Sequence, residues 1–464
     1  MIRSLNVLAA GVLAALAAAA PAAADTFVVT KRGDPPPVAC TKRDCSLREA
    51  VLAANQNLRS RDTILLPNRR KPYLLAQQGS GEDGGLTGDL DIANYPLVIR
   101  HGGKGRATID ARGIDRVFEV FAGAPTTFRK LVLKGGSATD LDSGGGIRSE
   151  ARLRVLGSRV AGNSTTGRGG GIELADDAAL ELVGSTIAAN DADLSGGGID
   201  TNDSLIDLRR SRIVRNRAMT SGGGIFNDSA AKEGLRIVKS TIAGNRSAFD
   251  GGGIYLSGLA PLRIVDSTIS GNRSQRGGGL FATVASPRLV NSTVATNRAT
   301  GDGGGMYSTG SSTRVRLNAV TVARNVADAE GSGKNIGGGL HRSNVEAFEV
   351  GNSLIALNRL GSGQRNDCAG QAFDSLGRNL LSTRGPVGMS VACMGFERPT
   401  DRVRSNPRIG KLRRNGGPTR TIALRKRSPA INKASRRTAP NRDQRGARRG
   451  RKKDIGAYER NTGR

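Results

Sequence analysis

Three consecutive glycines followed by an apolar residue recur eight times along the chain, and this repeat constrains the fold more than any other feature. The copies begin at Gly144, Gly169, Gly196, Gly222, Gly251, Gly277, Gly303 and Gly337, at steps of 25, 27, 26, 29, 26, 26 and 34 residues. Self-similarity at a period of about 20 to 50 residues indicates a solenoid, whose repeats bury their apolar faces against one another. One solenoid can therefore account for most of the 464 residues.

Each copy also contains an asparagine at a fixed distance from apolar residues. The asparagines are Asn163, Asn190, Asn216, Asn245, Asn272, Asn297, Asn325 and Asn358. Val or Ile lies three residues before each asparagine, an apolar residue lies eight before, and usually another lies ten before. The step of two indicates a strand with one buried face, and the odd step of five requires a bend between two strands. A third strand begins at the apolar residue after the glycines.

Three short strands in about 26 residues predict one coil of an all-β, right-handed single-stranded parallel β-helix. A leucine-rich repeat is the rival at this period, but it needs an apolar residue where this chain places serine, and a helical return where it places glycines. Four segments before the first glycine run suggest about two more coils: Leu97 to Ile99, Ala107 to Asp110, Val117 to Val120 and Leu131 to Leu133. The total is about ten coils. The repeated asparagines predict a stacked amide ladder that closes one turn of each coil.

The amino terminus predicts export. An apolar run from Leu5 to Ala20 precedes small residues at Ala22 and Ala24, which indicates a signal peptide over residues 1–24 rather than the alternative, a membrane anchor. No later stretch is apolar enough to span a membrane, so we expect a secreted or cell-surface protein without a transmembrane segment. Four cysteines in an oxidising compartment predict two disulfides. Of the three pairings, proximity in sequence favours Cys40 with Cys45 and Cys368 with Cys393.

A short helix is predicted at the front of the solenoid. Ser46 and Glu49 form a capping-box pattern. The helix that follows carries one apolar stripe, made by Leu47, Ala50, Val51 and Ala54. Such a helix can lie across the first coil and shield its open edge.

Two sets of motifs resemble known domains. The string CSLREAVLAAN, from Cys45 to Asn55, resembles the CSLREA domain of secreted bacterial β-helix proteins. Beyond Gly351, the strings GNSLIALN, DCAG, SLGRNLL, NGGPTRTIAL, SPAIN, RDQRGARR and DIGAYER resemble the choice-of-anchor Q domain. The resemblance implies a pectin-lyase-like fold and an extracellular or cell-surface location, but no agreed catalytic residues. It departs at Asn432, where the family usually has aspartate, and no anchor is visible before Arg464.

With this resemblance, the chain divides into a signal peptide at 1–24, a CSLREA cap region at 25–96, β-helix repeats at 97–350, and C-terminal coils with an anchor-domain-like cap at 351–464. Five charged residues match the closing motif of the resembled domain. They are expected to form an ion network in this C-terminal cap: Asp443, Arg445, Arg449, Asp454 and Glu459.

One outward column of side chains contains the candidate site residues. The residue after each strand-starting apolar residue should point outward by alternation. Down the coils it is Arg148, Glu173, Asp200, Phe226, Tyr255, Phe281, Tyr307 and His341. The five rings, from Phe226 to His341, are the ligand-binding candidates, as a platform for sugar faces. The alternatives are a stabilising stack and a column that loops cover.

The same column brings acidic residues together. Glu173, Asp200 and Asp228 are the catalytic candidates, because paired carboxylates serve glycoside hydrolysis. A denser cluster, with Asn202 and Asp203, could hold Ca²⁺, and isolated surface acids are the remaining interpretation. The strings NTD, GHG and RIK that accompany hydrolases of this fold are missing. We therefore expect no cofactor and no metal, with Ca²⁺ as the alternative.

Charge indicates an anionic partner. The formal net charge is +30, and the chain from Thr400 onward contains 22 Lys or Arg and only 4 Asp or Glu. The basic stretch Arg445 to Lys453 has no interleaved aromatics. It predicts polyanion binding or a solvated loop, and no specific nucleic acid. The leading hypothesis is a monomeric, non-catalytic protein that binds polysaccharide, preferably anionic, or another anionic surface polymer. The rivals are a polysaccharide lyase or glycoside hydrolase, and a structural spacer without ligand.

Overall fold

A computed structural model describes residues 24–57, 61–68, 71–175, 177–229, 234–259, 261–333, 335–383 and 393–460. The predicted signal peptide, apart from Ala24, lies outside the described residues. The described chain winds into a parallel β-solenoid with four sheets of 13, 12, 9 and 11 strands, called sheets 1 to 4 here, and a separate two-stranded sheet. Among the described residues, no helix is long and apolar enough to cross a membrane.

Sheets 1 and 2 follow one another within each coil. Sheet 1 consists of Thr26–Val28, Asp62–Leu66, Leu97–His101, Thr126–Arg129, Arg152–Leu156, Ala179–Val183, Leu205–Arg209, Leu235–Val238, Pro261–Val265, Ser286–Val290, Arg314–Asn318, Ala347–Gly351 and Asp374–Gly377. Sheet 2 consists of Tyr73–Leu74, Ala107–Asp110, Leu131–Lys134, Arg159–Ala161, Thr186–Ala188, Arg212–Val214, Thr241–Ala243, Thr268–Ser270, Thr293–Ala295, Thr321–Ala323, Leu354–Ala356 and Leu380–Leu381.

Sheets 3 and 4 complete the coil and return the chain to sheet 1. Sheet 3 consists of Ser137–Ala138, Ser164–Thr165, Asp191–Ala192, Arg217–Ala218, Arg246–Ser247, Arg273–Ser274, Arg298–Ala299, Val326–Ala327 and Arg359–Leu360. Sheet 4 consists of Leu90–Ile92, Phe118–Val120, Ile147–Ser149, Ile172–Leu174, Ile199–Asn202, Ile225–Asp228, Ile254–Ser257, Leu280–Thr283, Met306–Thr309, Leu340–Arg342 and Cys368–Gly370. Ile409–Arg413 and Thr421–Leu424 form the antiparallel pair.

The predicted β-helix is confirmed, with one difference in each coil. The sequence predicts three strands per coil, whereas most coils contain four, because the two residues after each repeat asparagine pair with the next coil as sheet 3. Apart from Val326–Ala327, each of these two-residue strands buries only one side chain, and all of them leave too short an alternation to be recognised in the sequence. The strands predicted before the first glycine run are also present, at Leu97–His101, Ala107–Asp110, Phe118–Val120 and Leu131–Lys134.

Equivalent residues of successive coils lie side by side, so the core is a set of aliphatic columns. Ile147, Ile172, Ile199, Ile225 and Ile254 are paired in register along sheet 4 and are fully buried. The predicted asparagine ladder is confirmed, since the side-chain amide of each repeat asparagine donates to the side-chain oxygen of the next at 2.9 to 3.1 Å. The ladder ends where Asn358 donates to Asp367 at 3.1 Å.

The predicted capping helix spans Leu47–Gln56, and its apolar stripe is buried. Ser46 accepts from the Glu49 N–H at 3.2 Å, and Glu49 accepts from the Ser46 N–H at 2.6 Å, which completes the capping box. The helix lies against the first strands of sheets 1 and 4. Both predicted disulfides are confirmed, Cys40 with Cys45 and Cys368 with Cys393.

The C-terminal segment packs on the flank of the solenoid. Residues 409–457 bury apolar side chains, such as Ile422 and Ile455, against small residues on the outer side of sheet 2. Gln444 donates to the Ser267 carbonyl at 3.0 Å and accepts from Thr293 at 2.6 Å. The predicted ion network is present, because Arg449 pairs with Glu459 at 3.0 Å and Arg445 pairs with Asp443 at 2.8 Å.

Candidate functional site

The outward column of sheet 4 lies in register as predicted, and its two halves differ in chemistry. Strand pairing aligns Asp91, Glu119, Arg148, Glu173 and Asp200 on successive coils. The same column then continues with the rings of Phe226, Tyr255, Phe281, Tyr307 and His341. We call these the acidic half and the aromatic half. The acidic half is longer than the sequence pattern indicated, because Asp91 and Glu119 precede the first glycine run.

Glycine turns cover much of this column. The first glycine of each run adopts a positive φ and lies over the outward residue four positions later, as Gly222 does over Phe226. Gly222 has a φ of +67°, and a Cβ there would lie 2.6 Å from the Cβ of Phe226, so a side chain is excluded. As a result, Asp200 retains 2% of its surface exposed and Phe281 retains 4%.

The rings of the aromatic half stack on one another. Phe226 and Tyr255 have ring centroids 4.7 Å apart, and the next two pairs, Tyr255 with Phe281 and Phe281 with Tyr307, have centroids 5.3 Å apart, all within 4° of parallel. His341 closes the stack at a tilt of 52°. The faces of the inner rings therefore contact other rings, and only ring edges point away from the stack. This geometry favours the stabilising interpretation over a platform for sugar faces.

Arg276 contacts the edge of the stack. Its guanidinium lies 5.2 Å from the centroid of Phe281 and 5.6 Å from that of Tyr307. Two hydrogen bonds to Asp250, at 2.9 and 2.7 Å, hold the guanidinium in this position. The ring column is thus braced by protein groups on its faces and on one edge.

Glu173 and Asp200 are neighbours on adjacent strands, as predicted, whereas Asp228 lies two residues further along the next strand. Asp200 accepts a hydrogen bond from Ser195 at 2.5 Å, and Asp228, which is exposed, accepts one from Ser257 at 2.7 Å. Arg148 approaches Glu173 at 3.7 Å. Glu173 and Asp200 are thus side by side but partly enclosed.

Burial raises the pKa of both carboxyl groups. The pKa of Glu173 rises to about 7, mainly because burial disfavours the charged form, with Arg148 acting in the opposite direction. The pKa of Asp200 rises to about 6 for the same main reason, and the Ser195 hydrogen bond partly offsets the rise. Both groups can therefore exchange protons near neutral pH, as an acid–base site requires and as buried structural acids also do.

A column of arginines, of which three are exposed and Arg298 is half-buried, follows the asparagine ladder on sheet 3, and sequence reasoning missed it. Arg217, Arg246, Arg273 and Arg298 are paired in register on four successive coils, and we call them the arginine column. Arg217 lies 3.6 Å from Asp191, but within the described part of the chain the other three have no acidic partner. The last three line a groove together with Ser247, Ser274, Thr300 and Glu330.

A visible signal could have identified the arginine column. In each of these four copies the repeat asparagine is directly followed by arginine, at Asn216, Asn245, Asn272 and Asn297. The asparagine pattern alone predicts a turn and carries no information about the residue after it. Because the asparagine side chain points inward to the ladder, the next side chain on the strand points outward.

A second set of arginines lies on the outer face of sheet 1. Arg236, Arg263, Arg288 and Arg316 are paired in register, again on four successive coils. Acids flank this set, because Asp207 contacts Arg236 at 3.3 Å and Glu349 contacts Arg316 at 3.2 Å. It carries the same number of charges as the arginine column but with more local neutralisation.

The basic stretch from Arg445 to Lys453 is only partly exposed to solvent. Arg449 and Lys453 are buried, and the Lys453 ammonium donates to the carbonyls of Arg436 and Ala439. Arg448, Arg451 and Lys452 are exposed. Half of the charge that suggested a polyanion-binding tail therefore holds the C-terminal segment together.

Comparisons with known proteins do not assign the chain to a family. No family model matches the chain, and no curated protein matches it either. The crystal structure of pectate lyase Pel9A superposes on 95% of this chain and 97% of its own, with a TM-score of 0.49 and 16% sequence identity. The resemblance to the CSLREA and choice-of-anchor Q domains rests on the motifs quoted above.

Proposed function

We propose that this chain is a secreted or cell-surface β-helix protein that binds an anionic polysaccharide along the arginine column, without catalysis. One observation carries the proposal: three consecutive arginines, Arg246, Arg273 and Arg298, line a groove without acidic partners among the described residues. The guanidinium group forms paired hydrogen bonds to carboxylate and sulfate oxygens. Such a row of groups suits a chain that repeats an anionic group.

The spacing of the column matches a linear polymer rather than a compact anion. Neighbouring coils lie about 4.8 Å apart, so the four guanidinium groups extend over roughly 14 Å. One exposed ion pair contributes only about 0.2 to 1 kcal/mol. Several pairs formed along one polymer add together, because later contacts are made within the same complex. Affinity should therefore depend on chain length and fall with salt.

The test compares two triple variants with the same change in net charge. Arg246→Gln, Arg273→Gln and Arg298→Gln remove the three members of the arginine column that line the groove, and Arg263→Gln, Arg288→Gln and Arg316→Gln remove three cations from sheet 1. We expect the first variant to bind polygalacturonate, which has one carboxylate per sugar, about 10- to 100-fold more weakly at low salt. The second should lose less than about threefold, and a neutral glucan should bind neither variant nor the parent. Titration calorimetry measures the affinity of the parent and of both variants.

Equal losses in both triple variants would mean that the polymer senses net charge and no particular face. Unchanged binding in the first variant would remove the arginine column as the site. If the parent binds no acidic polysaccharide at all, the spacer hypothesis gains support. Measurements on the parent and the two triple variants therefore distinguish binding at the arginine column from binding through net charge alone and from no polysaccharide binding.

Catalysis remains the second candidate, and the raised pKa of Glu173, to about 7, is the observation that favours it. The enclosure of Asp200 beneath Gly196 argues against it, because a substrate must reach the reacting groups. Incubation of the parent with acidic polysaccharides, followed by chromatography for shortened or unsaturated products, decides the question. A product that the parent forms and the Glu173→Gln variant does not form would establish the lyase or hydrolase.

A further inference from the structure

A buried cluster of three carboxylates lies in the first coils, apart from the Glu173 and Asp200 pair. Asp89, Asp91 and Glu119 each place a carboxylate oxygen within 4.8 Å of the other two. Asp89 precedes the first strand of sheet 4, Asp91 lies in it, and Glu119 lies opposite Asp91 on the second strand. All three are buried. Three like charges held this closely repel one another unless a cation or a proton lies between them.

Among the described residues, Asp91 is the member of the cluster that no arginine pairs with. It retains 1% of its surface exposed, and among the described residues neither carboxylate oxygen has a hydrogen-bond partner of good geometry, although the Gly85 N–H acts to lower the pKa of Asp91. Buried polar groups almost always have such partners, and those without one call for an explanation. An ion that binds in this space would provide the missing contact for both oxygens.

The nearby arginines serve the other acids. Arg116 donates to Glu119 at 2.6 Å and lies 3.3 Å from Asp89. Arg148 pairs with the second oxygen of Glu119. Asp115, Asp142, Glu82 and Asp83 add negative charge close by. The surroundings therefore remain acidic in a chain whose overall charge is +30.

We propose that Asp89, Asp91 and Glu119 bind one hard divalent cation of the calcium class. The donor set consists of carboxylate oxygens alone, which Ca²⁺ prefers and which zinc, a borderline metal, usually supplements with nitrogen or sulfur. Ca²⁺ takes about six to eight oxygen ligands, so backbone carbonyls and water would complete the shell. Burial also raises the pKa of Asp89 to about 9 and that of Asp91 to about 7, since the folded protein disfavours their ionised forms when no cation is bound.

The position of the site gives the ion a structural role beneath the N-terminal cap. Arg48 of the capping helix is fully buried and donates to the carbonyls of Gly85, Gly88 and Asp89. Asn55 of the same helix donates to the carbonyl of Asp91 at 2.7 Å. A bound cation would therefore join the segment that holds the helix to the second strand of sheet 4. It would fasten the cap to the solenoid.

The test titrates Ca²⁺ into the full chain after removal of metal with a chelator. We expect saturable binding of one Ca²⁺ per chain in calorimetry, and a rise in melting temperature of roughly 2 to 5 °C at a concentration 100 times Kd. Asp91→Asn should abolish both responses, and it should melt above the metal-free parent at pH 8 because a buried charge is gone. Asp193→Asn, which changes an exposed acid, serves as the matched control and should keep both responses.

Three results would overturn the proposal. The first is a metal-free parent that binds no Ca²⁺ in calorimetry, a measurement that does not depend on any variant folding. The second is an Asp91→Asn variant that retains the parent's Ca²⁺ response. The third is a parent whose melting temperature rises on acidification but is unaffected by Ca²⁺, which would assign a proton to the space between the carboxylates. Mg²⁺ as a second probe should bind more weakly, because it demands a tighter octahedral shell.

Discussion

The acidic and aromatic halves of sheet 4 occupy the same backbone positions, yet they depend on opposite physical effects. In the aromatic half, parallel pairing places a ring beside a ring, and the four carbocyclic rings, from Phe226 to Tyr307, stack almost parallel. In the acidic half, the same pairing places Glu173 beside Asp200, and Glu119 two coils before Glu173. In-register coils bring like side chains together, which stabilises the fold where the side chains are rings and destabilises it where they are carboxylates.

The acidic half is stabilised by arginines that lie between its carboxylates. Arg148 lies between Glu119 and Glu173 in the column and contacts both. Arg116 contacts Glu119 and Asp89 from the preceding turn. The remaining repulsion and burial appear as raised pKa values of Asp91 and Glu173, each to about 7. A solenoid can thus place charges in register only with countercharges between the coils or with protons or cations bound.

Substitutions of inward isoleucines test whether the two halves share one core, and they should cost the most stability. Ile172 and Ile254 are the inward neighbours of Glu173 and Tyr255, and both are fully buried. Ile172→Ala and Ile254→Ala should each lower the free energy of unfolding by about 2 to 5 kcal/mol, because each leaves a cavity between adjacent coils. Urea denaturation at pH 5 and pH 8 should show equal losses at both pH values.

A clear difference in stability loss between these two variants would place the contrast between the halves in the core and not on the outer face. Binding of polygalacturonate by either variant should match the parent below its melting temperature. A large loss of binding in Ile254→Ala alone would show that the solenoid transmits core defects to the surface.

The next effect concerns the ring stack. Replacing Tyr255 and Phe281 together with alanine removes three stacked contacts and should lower stability by about 2 to 4 kcal/mol. The loss should be the same at pH 5 and pH 8, because neither replaced side chain titrates in this range. Thermal melts at the two pH values measure it. Polygalacturonate binding should be retained, since the arginine column on sheet 3 is untouched.

A different result would restore the rings as a ligand platform. If the double variant keeps its stability but loses glycan affinity, by about 1 to 3 kcal/mol per lost stack, the column contacts sugar. The arginine triple variant is the matched comparison, because it should show the reverse pattern, with lost affinity and retained stability.

The sequence predicted the fold because period and register are local properties of the repeat. Glycine, asparagine and apolar positions recur at fixed distances, so the β-helix, the amide ladder, the capping helix and the disulfide pairs followed without any long-range information. The alignment of Glu173 with Phe226 and the rings also followed. The enclosure of Asp200 by Gly196 did not, because it depends on the conformation of the glycine turn in three dimensions.

The charged sites were harder to predict for two reasons. The arginine column depends on a single residue after each asparagine, which carries no periodic apolar signal. The Asp89, Asp91 and Glu119 cluster lies before the first glycine run, where the repeat gives no register, and only strand pairing brings Asp91 beside Glu119. The C-terminal segment packs on sheet 2 through contacts separated by more than 100 residues, such as Gln444 with Thr293.

The stability contribution of Glu173 should depend on pH in the opposite direction to that of most carboxyl groups. The pKa of Glu173 is about 7 in the folded protein and 4.5 in its ordinary state. The folded chain therefore binds the proton more tightly than the unfolded chain, and this contribution to stability is full below pH 4.5 and is lost as pH rises through 7. Glu173→Gln cannot lose a proton, so it should be more stable than the parent by about 1 to 2 kcal/mol at pH 8 and equal to it at pH 4.5.

Arg148→Gln is the opposing control and should be less stable than the parent at pH 8, because Glu119 and Glu173 lose their shared cation. Urea denaturation of the three proteins from pH 4.5 to 8 measures both differences. A Glu173→Gln variant that is less stable than the parent at pH 8 would mean that the Glu173 carboxylate is stabilised as an anion, and the acidic half would then not carry the repulsion that separates it from the aromatic half.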